Sequence, residues 1–191
     1  MLALLAAGQS RRFGDSDKLT ASLGGTMLGV HAAAAAADMN FTRKLVIGSP
    51  QHGCAAQWTA LGYQIIANED AAQGQASSVR LAAAQAIESG ASAQCIMLAD
   101  MPFVTRAHIG RLIAAFEQSG GTVASSRNGQ AMPPAIFSFA SLARLMALDG
   151  DSGARGLLAE ARMVAGDDQL LMDVDTAEDL ARANDIFNRT R

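Results

Sequence analysis

Three cations stand close together near the start of the chain: Arg11, Arg12 and Lys18, in the run Gly8-Gln9-Ser10-Arg11-Arg12-Phe13-Gly14-Asp15-Ser16-Asp17-Lys18. Backbone N–H groups of a glycine-containing loop, joined by guanidinium and ammonium groups, make a cradle for polyphosphate. The same composition also describes a plain solvated basic loop. It is not a Walker A loop, which counted from Gly8 needs a glycine and then a lysine where Phe13 and Gly14 stand. Nor is it the dinucleotide fingerprint, which needs glycines where Ser10 and Phe13 stand. A second reactive group lies in Leu98-Ala99-Asp100-Met101-Pro102. A carboxylate directly after an apolar run and ahead of a proline is suited to hold Mg²⁺, which takes one or two carboxylates beside waters and substrate phosphates. Asp100 could equally cap the turn. Asp173 and Asp175, two positions apart, point to one face if their segment is a strand. One of them is then expected near the metal and the other at the start of the following helix.

Other reactive side chains form no set. His31, His52 and His108 are scattered, and His108 falls on the polar side of its helix, so each reads as surface or core filler. The absence of a Ser-His-Asp or HxxE pattern rejects a hydrolase triad and a zinc enzyme. Cys54 and Cys95 make no CxxC pair, and Cys95 within Cys95-Ile96-Met97-Leu98 reads as a core residue.

The groups just named need elements to position them, and strand-like and helix-like segments alternate throughout. Residues 2–7 form a short apolar strand that enters the basic loop. Residues 27–37, with six consecutive alanines, are helical by propensity. Strands follow at 44–48, 63–67 and 94–99, with helices at 51–61 and 75–88. Ile109, Leu112, Ile113 and Phe116 lie at i, i+3, i+4 and i+7 behind a Thr105 N-cap. A strand is expected at 121–125, a break at Pro133-Pro134, short helices at 141–148 and 154–161, and a last strand at 170–174. Thr176 and Asp179 then have the spacing of a capping box. This βα alternation predicts an α/β fold with a mainly parallel sheet covered on both faces. Ligands bind such sheets outside the carboxyl ends of the strands, which selects the loops 8–18 and 100–102. Arg12 and Lys18 lie in a polar loop without apolar periodicity, so neither is expected to anchor the core.

Composition agrees. The 191 residues point to a single domain spanning residues 1–191, and half are hydrophobic, so a core forms without disulfides or structural metal. A net charge of −3 argues against a nucleic-acid partner but permits a local anion site. No stretch approaches the length of a membrane span. Residues 1–7 carry no charged n-region, so they read as a strand rather than a signal peptide, and the protein is expected to be cytoplasmic.

The run Leu5-Ala6-Ala7-Gly8-Gln9-Ser10-Arg11-Arg12-Phe13-Gly14, with Lys18, resembles the LAAGxSxRMG…K signature of the MobA-like nucleotidyltransferases, and among them most the molybdenum cofactor cytidylyltransferases. Four further segments agree in order: Gly74-Gln75-Ala76-Ser77-Ser78-Val79-Arg80, Leu98-Ala99-Asp100-Met101-Pro102, Gly150-Asp151-Ser152-Gly153-Ala154-Arg155, and Asp173-Val174-Asp175-Thr176-Ala177-Glu178-Asp179-Leu180. The resemblance implies a three-layer α/β/α fold of the nucleotide-diphospho-sugar transferase type, Mg²⁺, and nucleotidyl transfer with release of pyrophosphate. It implies that Leu5, Ala6, Ala7 and Gly8 approach the nucleotide, with Arg11, Asn68, Gly74, Ser77 and Ser78 beside it. Arg12 and Lys18 would hold the triphosphate, Asp100 would hold the metal, and Asp175 would be a second metal ligand; Arg12, Lys18 and Asp100 would be the catalytic set. Guanylyl-transferring relatives tend to read LAGG, so Ala7 tilts the base toward cytosine.

The expected reaction is transfer of CMP from CTP to the terminal phosphate of a molybdenum-pterin cofactor, with a molybdoenzyme receiving the product. An ionised acceptor phosphate needs no general base, which fits a site of cations and a carboxylate. Two departures from the pattern stand out: Phe13 replaces the usual Met, and Gln130-Ala131-Met132-Pro133-Pro134 lacks the Gly, and the His before the second Pro, of many cytidylyl members. GTP as donor, a sugar or alditol phosphate as acceptor, or a non-catalytic cofactor-binding accessory remain open alternatives. Ser77 and Ser78, at a helix start, either read the nucleotide or cap the helix.

Overall fold

The computed structural model describes residues 1–8, 13, 17–147 and 155–189. Along these the chain runs β1 (Leu2–Leu5), a 3₁₀ turn (Lys18–Thr20), the hairpin β2 (Ser22–Leu23) and β3 (Thr26–Met27), then α1 (Leu28–Ala36). It continues β4 (Lys44–Gly48), α2 (Ala55–Ala60), β5 (Gln64–Ala67), α3 (Gln75–Glu88), β6 (Ala93–Leu98) and α4 (Arg106–Ser119). The last third holds β7 (Val123–Arg127), β8 (Gln130–Ser138), α5 (Phe139–Met146), α6 (Arg155–Ala159), β9 (Arg162–Ala165) and α7 (Ala177–Arg189).

Seven strands form one sheet in the order β5-β4-β1-β6-β8-β7-β9. All neighbours pair in parallel except β8, which is antiparallel to both β6 and β7. Strand side chains alternate between two cores. Leu2, Leu4, Val46 and Met97 pack with α1, Trp58 of α2, and Ile109 and Leu112 of α4. Ala3, Leu5, Ile47 and Ile96 pack on the opposite face with Val79 and Ala83 of α3 and Leu142 of α5. Two helical layers around a mostly parallel sheet give the three-layer arrangement expected. The alanines of α1 and α3 bring the helices close to the sheet, and burying each leucine of β1 contributes about 1.5–3 kcal/mol. Because β4 lies on one side of β1 and β6 on the other, the carboxyl ends of β1 and β6 flank a point where strand order reverses, the place such sheets bind ligands.

Several expectations need correction. Pro133-Pro134 does not end the strand: β8 runs through it, because the β7–β8 register shifts between Ala124 and Ser125 and passes over both prolines. Residues 170–174 form no strand. The edge position is taken by β9, which pairs with β7, while Val174 donates a single backbone hydrogen bond to the Asp100 carbonyl, 3.0 Å. His108 is not on a polar face but buried: its Nε2 donates to Ser125 Oγ (2.8 Å), Ser125 Oγ donates to the Pro134 carbonyl (2.8 Å), and Arg111 donates to Nδ1 (2.8 Å). Burial first, and the Arg111 charge second, lower its pKa to about 4. Both cysteines are free and buried.

Candidate active site

The strand ladder brings the first site residues together. Ala6 N–H bonds the Ile47 carbonyl (2.9 Å) and Ala99 N–H bonds the Leu5 carbonyl (3.0 Å), so the chain leaves β1 and β6 side by side. Leu5 and Ala6 are buried, Ala7 is half-buried and Gly8 is exposed. A Cβ at Gly8 would meet nothing within 4 Å, and its backbone has no positive φ. Neither packing nor conformation within the described protein therefore demands a glycine there.

Asp100 follows Ala99 directly, and the Val174–Asp100 backbone bond docks the 172–175 segment beside it, delivering Asp175. Between the two carboxylates sits Lys18, whose Nζ donates to Asp100 Oδ2 at 2.6 Å and to Asp175 Oδ1 at 2.7 Å. Lys18 is 7 % exposed, which corrects the expectation of a solvated loop lysine. Burial works against its charge, but Asp100 and Asp175 outweigh that and hold its pKa above the ordinary lysine value. Asp100 is pushed up, first by burial and further by Asp175 and Asp173, against the pull of Lys18. Its second oxygen, Oδ1, is buried and has no hydrogen-bond partner among the described residues. Asp173 and Asp175 do not divide their work as expected. Asp179, not either of them, serves the helix start, accepting from Thr176 N (3.0 Å) while Asp179 N donates to Thr176 Oγ1 (3.1 Å). Asp173 lies 4.0 Å from Arg127.

The backbone of Lys18 is fixed by a neighbour that sequence reasoning passed over. Asp17 caps the 3₁₀ turn, accepting from Leu19 N at 3.0 Å. Its other oxygen lies 2.5 Å from His52 Nε2. His52 Nδ1 accepts from Cys54 N (3.0 Å), which leaves the N–H on Nε2, a buried nitrogen that makes no hydrogen bond among the described residues. The ring stacks on Trp58, centroids 4.8 Å apart, and Trp58 Nε1 donates to the Gly29 carbonyl (2.8 Å). No local pattern marks His52; the signal that could have found the cap is the acid immediately before Lys18.

A cavity of about 550 Å³ opens at the carboxyl ends of β1, β4 and β5, lined among others by Ala6, Ala7, Gly8, Gly48, His52 and Asn68. Asn68 Nδ2 donates to Ser77 Oγ (3.0 Å) and Ser78 Oγ (2.9 Å), and its Oδ1 accepts from Asp70 N (3.1 Å). The N-cap of α3 is Gly74, at φ 90°, a conformation that favours glycine. Ser77 and Ser78 are thus inside the first turn rather than capping, and Ser77 Oγ donates to the Gly74 carbonyl at 2.8 Å. A second cavity, about 620 Å³, borders Asp175 from the other half of the sheet and includes Arg127, Asp173 and Arg182. Arg11, Arg12 and residues 150–154 of the predicted motifs lie outside the described residues.

Residues 2–183 match the family model described as the MobA-like NTP transferase domain. The chain is 32% identical over 190 residues to the purine catabolism protein PucB of Bacillus subtilis strain 168, covering 92% of this chain and 91% of that protein. It is 29% identical over 194 residues to a molybdenum cofactor guanylyltransferase of Cereibacter sphaeroides, covering 97% and 96%. In fold it is similar to the manganese complex of Rv0371C from Mycobacterium tuberculosis H37Rv, with a TM-score of 0.73, 23% identity and 96% of each chain covered.

Proposed function

The chain belongs to the family of MobA-like NTP transferase domains, and from that premise we propose that it transfers CMP from CTP to the terminal phosphate of a molybdenum-pterin cofactor. The observation that carries this reading is the Lys18–Asp100–Asp175 cluster, with Asp100 just past the carboxyl end of β6, the strand paired with β1. An acceptor phosphate oxygen attacks the α-phosphorus in line. The new P–O bond forms as the bond from the α-phosphorus to the bridging oxygen breaks, and pyrophosphate leaves with that electron pair. The acceptor phosphate is already ionised at neutral pH, its second pKa being about 6, so no side chain has to remove a proton. Catalysis then consists of alignment and of neutralising the charge on the departing pyrophosphate.

The residues fit a divalent cation. Asp100 Oδ1 is a buried carboxylate oxygen without a partner among the described residues, and two carboxylates share one ammonium. Asp100 and Asp175 would hold Mg²⁺, and the bound metal would supply charge neutralisation at the phosphates. Arg12 and Lys18 bind the triphosphate. Leu5, Ala6, Ala7 and Gly8 border it through backbone, with Gly8 leaving room for close approach. Asn68 orients Ser77 and Ser78, seated behind Gly74, toward the nucleotide, with Arg11 on the loop side.

Ala7 supports cytosine, since guanylyl-transferring relatives tend to carry glycine at that place. A second reading, GTP as donor, is favoured by the guanylyltransferase among the similar proteins. The protein acts in the cytoplasm and hands its product to a molybdoenzyme; no helix among the described residues is long and apolar enough to cross a membrane. The test is pyrophosphate release with each of the four nucleoside triphosphates, with and without the molybdenum-pterin cofactor. Release with CTP that depends on the cofactor is expected. Preferential release with GTP would move the reading to guanylyl transfer, and release with no nucleotide would end it.

A further inference from the structure

The Lys18 ammonium lies between the two carboxylates, 2.6 Å from Asp100 Oδ2 and 2.7 Å from Asp175 Oδ1. We propose that Lys18 is a built-in occupant of the Asp100–Asp175 pair, and that it and the divalent cation exchange there when a nucleoside triphosphate binds. The proposal rests on the nucleotidyltransfer reading above. A resident ammonium repels a divalent cation at the same oxygens, so metal alone binds weakly. The pair is nonetheless not saturated by Lys18, because Asp100 Oδ1 is buried and lacks a partner among the described residues. The anchor for an exchange is present: Asp17 holds the backbone at the root of Lys18 by accepting from Leu19 N, and His52, whose Nε2 lies 2.5 Å from Asp17, lines the cavity under Gly8. The four-carbon stem can then swing its charge from carboxylates to phosphates without moving the turn. A triphosphate that draws Lys18 away opens the carboxylates to the metal, and the metal in turn favours the displaced lysine. Nucleotide and metal therefore bind cooperatively, each strengthening the other by the same factor.

The chain contains two lysines, Lys18 and Lys44, so lysine-selective isotope labelling yields two side-chain ammonium signals by NMR. Lys44 Nζ is held by the Ala37 and Leu61 carbonyls and serves as the internal reference. Mg²⁺ alone is expected to leave both signals in place, and CTP with Mg²⁺ to move that of Lys18 only. Saturating nucleotide and Mg²⁺ with the Lys18 signal unmoved overturns the proposal. Failure of every nucleoside triphosphate to bind, read by calorimetry, overturns the nucleotidyltransfer reading itself. In the absence of nucleotide, Lys18→Met should bind Mn²⁺ at least about tenfold tighter than the wild type. Lys18→Gln, which keeps one amide donor for the carboxylates, should do the same and covers the case in which the methionine variant does not fold. Mn²⁺ affinity equal to wild type in the folded variant also overturns the exchange.

Discussion

Asp100 and Lys18 should fail in different ways when altered. Asp100→Asn keeps the shape and removes the charge that would hold the metal, so turnover at limiting Mg²⁺ should fall about a hundredfold or more. Unchanged turnover in that assay removes Asp100 from the metal site. Lys18→Ala leaves two carboxylates facing each other, one of them largely buried. Loss of one partner from a fully buried pair costs about 3–5 kcal/mol. The Asp100 and Asp175 side chains keep 20 % and 40 % exposure, so about 2 kcal/mol is expected here, read as a lower melting temperature. The pH dependence has a definite sign. Lys18 has a folded pKa above its unfolded value, so its stabilisation is fully present below the ordinary lysine pKa and disappears as pH rises through the raised value. The stability gap between wild type and Lys18→Ala should therefore close only in the alkaline range; a gap that closes near neutrality contradicts the ion-pair account. The chemistry of Lys18 was legible in the sequence, but its burial was not. Burial is set by carboxylates 82 and 157 positions away, and no local pattern reports such a meeting.

The elements carry their own tests. Ser78 lies inside α3, where its hydroxyl accepts from Asn68, so Ser78→Ala removes one hydrogen bond rather than a cap. It should cost about 0.5–1.5 kcal/mol and change nucleotide affinity or base preference. Wild-type affinity and discrimination in a titration would withdraw Ser78 from the site. α7 is tied to the β2–β3 hairpin at Gly24, where a Cβ would fall 2.1 Å from the Phe187 ring and φ is +59°. Gly24→Ala should destabilise by about 1–3 kcal/mol, seen in denaturant unfolding; no loss would show that α7 yields easily. α4, β7 and β8 are joined through His108. Its pKa drops from 6.5 to about 4 on folding, so its stabilisation is complete above pH 6.5 and lost as pH falls toward 4. His108→Gln should be less sensitive to that acid window in melting experiments. The long periodic elements were readable: α3 spans the residues 75–88 expected, and Thr105 caps α4, accepting from His108 N at 3.2 Å. The apolar run at 170–174 misled because Leu171 and Val174 are buried without a strand partner, while β9 is only four residues long, Arg162–Ala165, and largely exposed at the sheet edge.

At the scale of the whole molecule, alternation of apolar strands with helices was enough to foresee a sheet covered on both faces. It did not foresee that β8 would run antiparallel, since direction within the last third depends on the short β7–β8 turn at Asn128 and Gly129, with φ values of 53° and 76°. The architecture sets the division of labour. β1, β4 and β5 frame one cavity, the 168–182 region frames another, and Lys18, Asp100 and Asp175 lie where the two halves of the sheet meet. A reaction joining two substrates at a phosphorus fits such a plan. The most direct measurement is the mass of the molybdenum-pterin cofactor after incubation with the protein, CTP and Mg²⁺. The account predicts a gain of one CMP per cofactor through a new pyrophosphate linkage, lost in Asp100→Asn; an unmodified cofactor alongside consumed CTP, or a gain of GMP from an equimolar mixture of CTP and GTP, would contradict it.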